Sequence, residues 1–461
     1  MSNSTYLSVT DLARGIENGS MSPVGAVERC LERISSLDGQ LGAFQVVYED
    51  EAMAGAEAAA RACASGHRIG PFHGVPFALK DIVDVEGRIT TGGSKTMLDR
   101  VSPATAIIAR RLLAAGGILI GKTKTVEVAM GGWGTNTHMG TPQNPWDLET
   151  VRTPGGSSSG SGVSVATGMA GCAVGTDTGG SVRLPAGWCG IVGLKTTEGL
   201  LPTDGIMPLS HTLDTPGPMA RSVADTVLMF EVMLGRHPLD TERDMNAGNG
   251  LFGMLNQGVN GLRLGVLNST ERAVVDNEIL SLYDAACEEL RSLGAELVTF
   301  TGPMDFADLT TATATIIGSE GYFHHGALFE AEDLPIDPDV RPRILLGQSK
   351  SARDYIEALM QRRQDQADFL ESLRGIDALL TPTVPTPAVA LDEVDQSSTP
   401  AHFTRAGNYL GLCGLSVPMG LTSGRLPGGL QVLARGLDES MAVRVGSAYE
   451  GRRGAFPHPI P

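Results

Sequence analysis

The chain opens with a helical rhythm. In "SVTDLARGIENG" the apolar residues Val9, Leu12 and Ile16 recur at three- and four-residue intervals, and "PVGAVERCLERISSL" repeats the period behind Pro23. Such spacing lays one apolar stripe along a helix, so residues 8–65 are predicted helical. From about residue 70 the period shortens. "GVPFALKDIVDV" reads as a strand followed by a turn, "TAIIARRLLAAGG" as a helix and "ILIGKT" as a strand. That alternation predicts an α/β sheet with helices on its faces.

Residues 140–215 are dominated by Gly, Ser, Thr and Pro, with few long charged side chains and no clear period. Patterning returns in "SVADTVLMFEVMLG", a predicted helix whose Ser222 and Asp225 suit a capping box. Residues 236–258 read as a surface loop. Strand, helix and strand follow in "GLRLGVL", "EILSLYDAACEELRSLG" and "ELVTF". A helical stretch is predicted over about 305–373, then a strand in "DALLTPT", a Pro-rich loop over 382–400, and two strands flanking "LTSGRLPG". There is no internal repeat.

Composition narrows the class. A chain of 461 residues suits about three domains or one large α/β domain. Its 59 glycines follow no collagen-like period, which points to tight turns and close backbone approaches. Lys plus Arg number 35 against 52 Asp plus Glu, a formal charge of −17, and no dense basic run occurs. Nucleic acid and anionic membrane are therefore not expected as partners. The six cysteines form no C-x-x-C pair and none stands at metal-ligand spacing from a histidine, so buried, reduced thiols and no metal or cofactor are expected. "MSNSTYLSVTDLARGI" lacks the features of a signal peptide, and no apolar run reaches the ~18 residues of a membrane span. The expectation is a cytoplasmic enzyme acting on a small molecule, as a monomer or homodimer.

Three motifs invite a function and fail on context. "GGILIGKT" (residues 116–123) fits the phosphate-loop pattern, but its Ile118, Leu119 and Ile120 read as strand, not as an open cradle. "GSSSG" (residues 156–160) fits the hydrolase nucleophile elbow, yet Pro154 and two glycines break any preceding strand. His211, His237, His324 and His325 offer that elbow no distinctive partner. Cys189 in "GWCGIVGL" has apolar neighbours and no nearby acid or imidazole, which suits an inert core thiol.

Four longer motifs occur in one order: "GPFHGVPFALKD", "GGSSSGS", "GTDTGGSVRLP" and "CGIVGLKTT". Singly, Lys80 could be a solvated lysine beside Asp81, Ser157 part of a linker, and Ser181 a turn or helix cap. Together the motifs closely resemble the core of the amidase signature family, including the interval of 24 positions from Ser157 to Ser181. The likeness extends to "MSPVGAVERCLERI", "LDTPGPMARSVAD" and "GLSVPMGLTSGRLPGGLQVLA", nearly the whole chain. Ser159 stands where the family usually has Gly and Thr196 where it usually has Pro. Neither departure removes a catalytic group.

The resemblance implies an α/β fold with a large mixed twisted sheet covered by helices on both faces. It implies one amidase signature domain over 1–461: a helical N-terminal region 1–65, a catalytic core of about 70–230, and a more variable, substrate-determining part from about 236. By position, Ser181 would be the nucleophile, Ser157 the bridging serine and Lys80 the general base. A serine hydroxyl needs an aligned base, and a lysine serves only when an apolar setting lowers its pKa. The peptide Gly156–Ser157 is cis in the family. Backbone amides of Thr178, Gly179, Gly180 and Ser181 would face the developing oxyanion, and Asp177 would buttress their loop. Arg183 reads equally as structural or as a cation at the substrate's edge. Met130, Gly131, Gly132 and Trp133 match the segment lining the acyl pocket, and Trp133 would suit aryl or alkyl groups.

The implied reaction is hydrolysis of a carboxamide, ester or carbamate through an acyl-enzyme. One rival is the A subunit of glutamyl-tRNA(Gln) amidotransferase, which shares this core. After its K-P-T that subunit typically has a tract like Y-G-x-V-S-R-Y-G. This chain has "TEGLLPTDGIMPLSHTLD" instead. A non-catalytic, Gly-rich anion-binding module is the alternative outside enzymes.

Overall fold

Eleven strands hydrogen-bond into one continuous sheet in a computed structural model that describes residue 6 and residues 8–460. In chain order they are β1 (Phe44–Val47), β2 (Pro76–Lys80), β3 (Ile118–Thr123), β4 (Cys172–Asp177), β5 (Val192–Lys195) and β6 (Thr215–Ala220), then β7 (Arg263–Leu267), β8 (Glu296–Phe300), β9 (Ala378–Pro382), β10 (Cys413–Leu421) and β11 (Pro427–Ala434). Across the sheet they run β1-β3-β2-β4-β6-β5-β10-β11-β9-β7-β8. The β2–β3, β2–β4, β7–β8 and β7–β9 pairs are parallel and the others antiparallel. Helices cover both faces, giving the predicted mixed α/β architecture.

The central strands explain why their sequences read poorly. Every residue of β2, β4, β5 and β6 is buried, so no polar face alternates with an apolar one. The helices Ser159–Ala166 and Arg183–Cys189 are buried on all sides too. Residues 153–197 are thus almost wholly interior, and their small side chains let backbone pack against backbone. Gly160 shows this: a side chain there would overlap the carbonyl of Ala43.

Most predicted elements occur, with four corrections. The helical N-terminal region contains β1 between the helices Pro23–Leu41 and Glu49–Ala64. Residues 236–258 form two helices, Pro238–Ala247 and Gly250–Met254. Their polar sequence hides a narrow buried face that includes Met245 and Phe252. A last helix, Glu439–Arg453, escapes the hydrophobic pattern because small residues such as Ala442 and Gly446 make its packed face. Ser222 caps its helix by accepting from the Asp225 amide, but the Asp225 carboxylate does not complete the box. It accepts instead from Ser8 Oγ at 3.0 Å and from Thr10 N at 2.8 Å, tying the first helix to the body.

Among the described residues no helix is long and apolar enough to cross a membrane. All six cysteines are free, five of them buried. The leading residues read for a signal peptide lie in part, at 1–5 and 7, outside the described residues.

One ion pair joins the two halves of the sheet. Asp177, the last residue of β4, accepts from Arg183 Nε and Nη2, both at 2.9 Å, and neither side chain is exposed. Arg183 also donates to Gln431 Oε1 on β11 and to Asn408 Oδ1, each at 2.7 Å. Arg183 is therefore a structural cation. Burial alone would raise the Asp177 carboxyl, but the Arg183 guanidinium outweighs it and holds the group at about 2. Replacing one partner leaves a buried charge unpaired. Arg183→Met is expected to lower the unfolding free energy by about 3–5 kcal/mol, read as a lower urea midpoint with an unchanged m value.

Candidate active site

The parallel strands β2 and β4 end side by side, and the candidate residues gather at those carboxyl ends. Lys80 closes β2 and is wholly buried. Its Nζ donates to Ser157 Oγ at 2.7 Å and to Thr176 Oγ1 at 2.8 Å. Asp81 faces elsewhere, 3.5 Å from Lys122, so the reading of Lys80 as a solvated partner of Asp81 does not hold. Burial pulls the Lys80 amine down to about 7, against the nearby carboxylates of Asp214 and Asp177, which favour its charged form.

The Gly156–Ser157 peptide is cis. The Ser157 carbonyl accepts from Thr125 Oγ1 at 2.9 Å and from Val126 N at 3.3 Å, which fixes the serine from behind. Ser158 is spent on structure: its Oγ accepts from the Thr176 amide at 3.2 Å, and its own amide donates to the Ser181 carbonyl at 3.3 Å. No strand precedes it, so the elbow pattern is empty of meaning here. Residues 118–123 of the phosphate-loop lookalike form β3, and Lys122 Nζ donates to the Ile89 carbonyl at 2.9 Å. Cys189 is buried, and desolvation raises its thiol pKa.

Ser181 opens onto a cavity of about 670 Å³ whose wall also includes Met130, Gly131, Gly132, Trp133, Thr178 and Gly179. Sequence reasoning named all of these; the fold brings them to one place. Gly180 departs from the expectation of four amides facing one point. Its N–H donates to Asp177 Oδ1 at 2.7 Å, as the Val182 amide does to Oδ2 at 3.1 Å. Among the described residues the amides of Gly179 and Ser181 meet no backbone or side-chain acceptor. Trp133 serves two purposes: it lines the cavity, and it stacks on Trp188 at 5.6 Å while its Nε1 donates to the Ser398 carbonyl at 3.2 Å.

The segment reaching Met130 turns through an unusual backbone. Val128 and Ala129 have φ of 43° and 63°, a conformation that costs non-glycine residues on the order of 1–3 kcal/mol. Val128 N donates to the Gly92 carbonyl at 2.7 Å, and Glu127 Oε2 accepts from the Asp337 amide at 2.7 Å, so the start of the turn is pinned.

Sequence reasoning missed several residues that the fold adds. Thr176 is the second acceptor for Lys80. Asp214 accepts from Thr178 Oγ1 and from the amides of Leu209 (2.8 Å) and Ser210 (3.0 Å). Burial pushes its carboxyl up to about 6, despite these bonds and nearby Lys80. Both lie inside quoted motifs, "GTDTGG" and "LDTPGP", but only the fold shows what they touch. Arg343 and Arg405 lie outside the quoted motifs and have no local signal. Asp214, Thr176 and Thr178 also line a second cavity of about 230 Å³, which shares Ala129, Thr178 and Leu209 with the first. Among the described residues no group of three or more His, Cys, Asp or Glu side chains is arranged to hold a metal ion.

The site thus pairs a buried lysine with a buried serine at the strand ends of a mixed α/β sheet and places a second serine, Ser181, on the wall of a cavity. A family model described as Amidase matches residues 25–443. The chain belongs to that family. The A subunit of glutamyl-tRNA(Gln) amidotransferase from Anaeromyxobacter dehalogenans (strain 2CP-C) is 34% identical over 481 residues, covering 98% of this chain and 97% of that one. The 2-amino-5-chloromuconic acid deaminase of Comamonas testosteroni is 33% identical over 456 residues, covering 97% and 96%. The peptide amidase of Stenotrophomonas maltophilia matches in structure with a TM-score of 0.84 at 29% identity, covering 98% of each chain.

Gly180 is a position that does not tolerate a side chain. Its φ is +135°, and a methyl group there would overlap Thr404 Oγ1. Gly180→Ala is expected to cost about 3 kcal/mol of stability. Adding Thr404→Ala removes the overlap with Oγ1 but not those with Thr404 Cβ and Leu184 Cγ, nor the strained φ, so it should recover at most about 1 kcal/mol, a coupling that a double-mutant denaturation cycle measures.

Proposed function

We propose that this protein is an amidase that hydrolyses the C–N bond of a linear, non-peptide carboxamide, and esters or carbamates by the same steps. The observation carrying this reading is the contact between the buried Lys80 amine, lowered to about 7, and Ser157 Oγ at 2.7 Å. At neutral pH a large share of such an amine is unprotonated, which a general base requires.

In this mechanism Thr176 accepts one Lys80 N–H, which leaves the nitrogen lone pair for the Ser157 proton. Ser157 takes the Ser181 proton as Ser181 Oγ attacks the carbonyl carbon. The oxyanion forms beside the amides of Thr178, Gly179 and Ser181, where fixed donors stabilise charge as it develops. Gly180, bound to Asp177, holds the loop in shape. The proton returns through Ser157 to the departing amine, the C–N bond breaks, and the acyl group stays on Ser181. Water then repeats the sequence and releases the acid.

The relatives support amide chemistry at this site and disagree about its target. By name they act on peptide amides, on 2-amino-5-chloromuconic acid, or within a tRNA amidotransferase. The 34% identity to an amidotransferase A subunit favours one second reading, a subunit that works with partners. Copurification of partner subunits with the tagged chain would support it. Isolation of an active chain alone, hydrolysing simple amides, would exclude it.

Two outcomes test the mechanism. Ser181→Ala should lose at least about 10⁴-fold in kcat and all labelling by a fluorophosphonate probe, and Lys80→Ala about 10²–10⁴-fold. Full activity in both variants would refute the reading. kcat/KM should rise with pH through a midpoint near 7, because protonated Lys80 cannot accept the proton. Asp214→Asn removes a negative charge that favours protonated Lys80, so its midpoint should move to lower pH.

A further inference from the structure

Arg405 brings an unbalanced positive charge to the main cavity. One of its nitrogens, Nη1, donates to the Thr310 carbonyl at 2.8 Å. Among the described residues no acid lies within ion-pair distance of it, and the charged group that most affects it is another cation, Arg343. A guanidinium carries five N–H donors in a planar fork, and among the described residues only one of them is engaged here while the residue lines the cavity. Burial and Arg343 lower Arg405 to about 10, which still leaves it cationic at neutral pH.

Arg343, on the same wall, is already employed. It donates to the Met130 carbonyl at 3.3 Å and to the Gln396 carbonyl and Oε1 at 2.8 and 2.6 Å, and Asp339 and Asp337 support its charge. Arg405 has neither an acid nor such a set of carbonyls. Its position is also telling. A side chain at Gly179 would meet Arg405 Cγ at 3.3 Å and Nε at 3.7 Å, and Gly179 is two residues from Ser181. Gly179 has no positive φ, so its lack of a side chain serves space, not backbone conformation. The stem and Nε of Arg405 pack against the room it leaves.

An unpaired charge in a partly desolvated wall is costly, and a ligand anion offsets that cost. The protein as a whole carries −17 and repels anions in bulk solution, so attraction has to be local. We propose that the substrate carries a carboxylate on its acyl part, a few bonds from the scissile carbonyl, and that Arg405 receives it. This rests on the amidase reading above. The intervening hydrocarbon would lie along Met130, Leu184 and Ile317, which line the same cavity.

The test uses purified full-length protein with succinamate and glutaramate, each set against the neutral amide of matching length, butyramide and valeramide. Ammonia release is expected to give kcat/KM values about 100-fold higher for the acids. In Arg405→Met this acid-to-neutral ratio should fall at least tenfold, and Arg405→Lys, which keeps the charge but not the fork, should retain part of it. The acids should also protect Ser181 from a neutral fluorophosphonate at concentrations at least tenfold below those of the neutral amides. A wild-type ratio near one, equal protection by acids and neutral amides, or a ratio unchanged in Arg405→Met overturns the inference. Ser181 labelling without any carboxylate preference overturns this inference alone. Absence of labelling overturns the amidase reading and this inference with it.

Discussion

An amine has been taken out of water at the end of a central strand and given two hydroxyls in place of a carboxylate. That arrangement at Lys80 is the constraint on which the site depends. A carboxylate in direct contact would hold the amine protonated, and open solvent would return it toward the ordinary lysine range. The fold avoids both. β2 is flanked by β3 and β4, Ser157 and Thr176 take up the nitrogen's hydrogen bonds, and the two acids nearby, Asp214 and Asp177, are each engaged with other groups.

Those engagements connect the amine to the rest of the molecule. Asp177 spends its charge on Arg183 and its remaining acceptor capacity on the loop amides of Gly180 and Val182. Arg183 reaches on to β11 and to Asn408, whose Nδ2 donates back to the Asp177 carbonyl at 2.9 Å. One buried network thereby sets the electrostatics around Lys80, shapes the loop carrying Ser181, and fastens the middle of the sheet to its C-terminal strands. Such a network is stable only when fully satisfied, which is why so many small and polar residues crowd into residues 155–185.

The cavity is built on different terms. Its floor comes from the rigid core, whereas much of its far wall comes from residues 314–346 and 396–405, which belong to helices and loops outside the signature motifs. Walls of that kind can change without disturbing the strand ends beneath them. This fits a family whose members, at 29–34% identity to this chain, bear names denoting different substrates. The two guanidiniums of the wall, Arg343 and Arg405, lie outside those motifs, and the serines and lysine lie within them.

Much of the site was legible in the primary structure because its residues lie in long, ordered motifs. Lys80, Ser157, Ser181, Asp177 and the segment 130–133 could be named without coordinates. The same stretches were the least legible for secondary structure, since strands buried on both faces and a helix such as Ser159–Ala166 carry no amphipathic period. Local sequence thus determined which groups the site contains, the helices with a clear apolar stripe, and the α/β class. Only the tertiary structure decided that Lys80 turns from Asp81 to Ser157 and Thr176, that Asp214 stands behind Thr178, that Gly180 gives its amide to Asp177, and that Arg405 reaches the cavity without an acid beside it. These are matters of distance and exclusion of water between residues up to hundreds of positions apart, and local sequence carries no information about either.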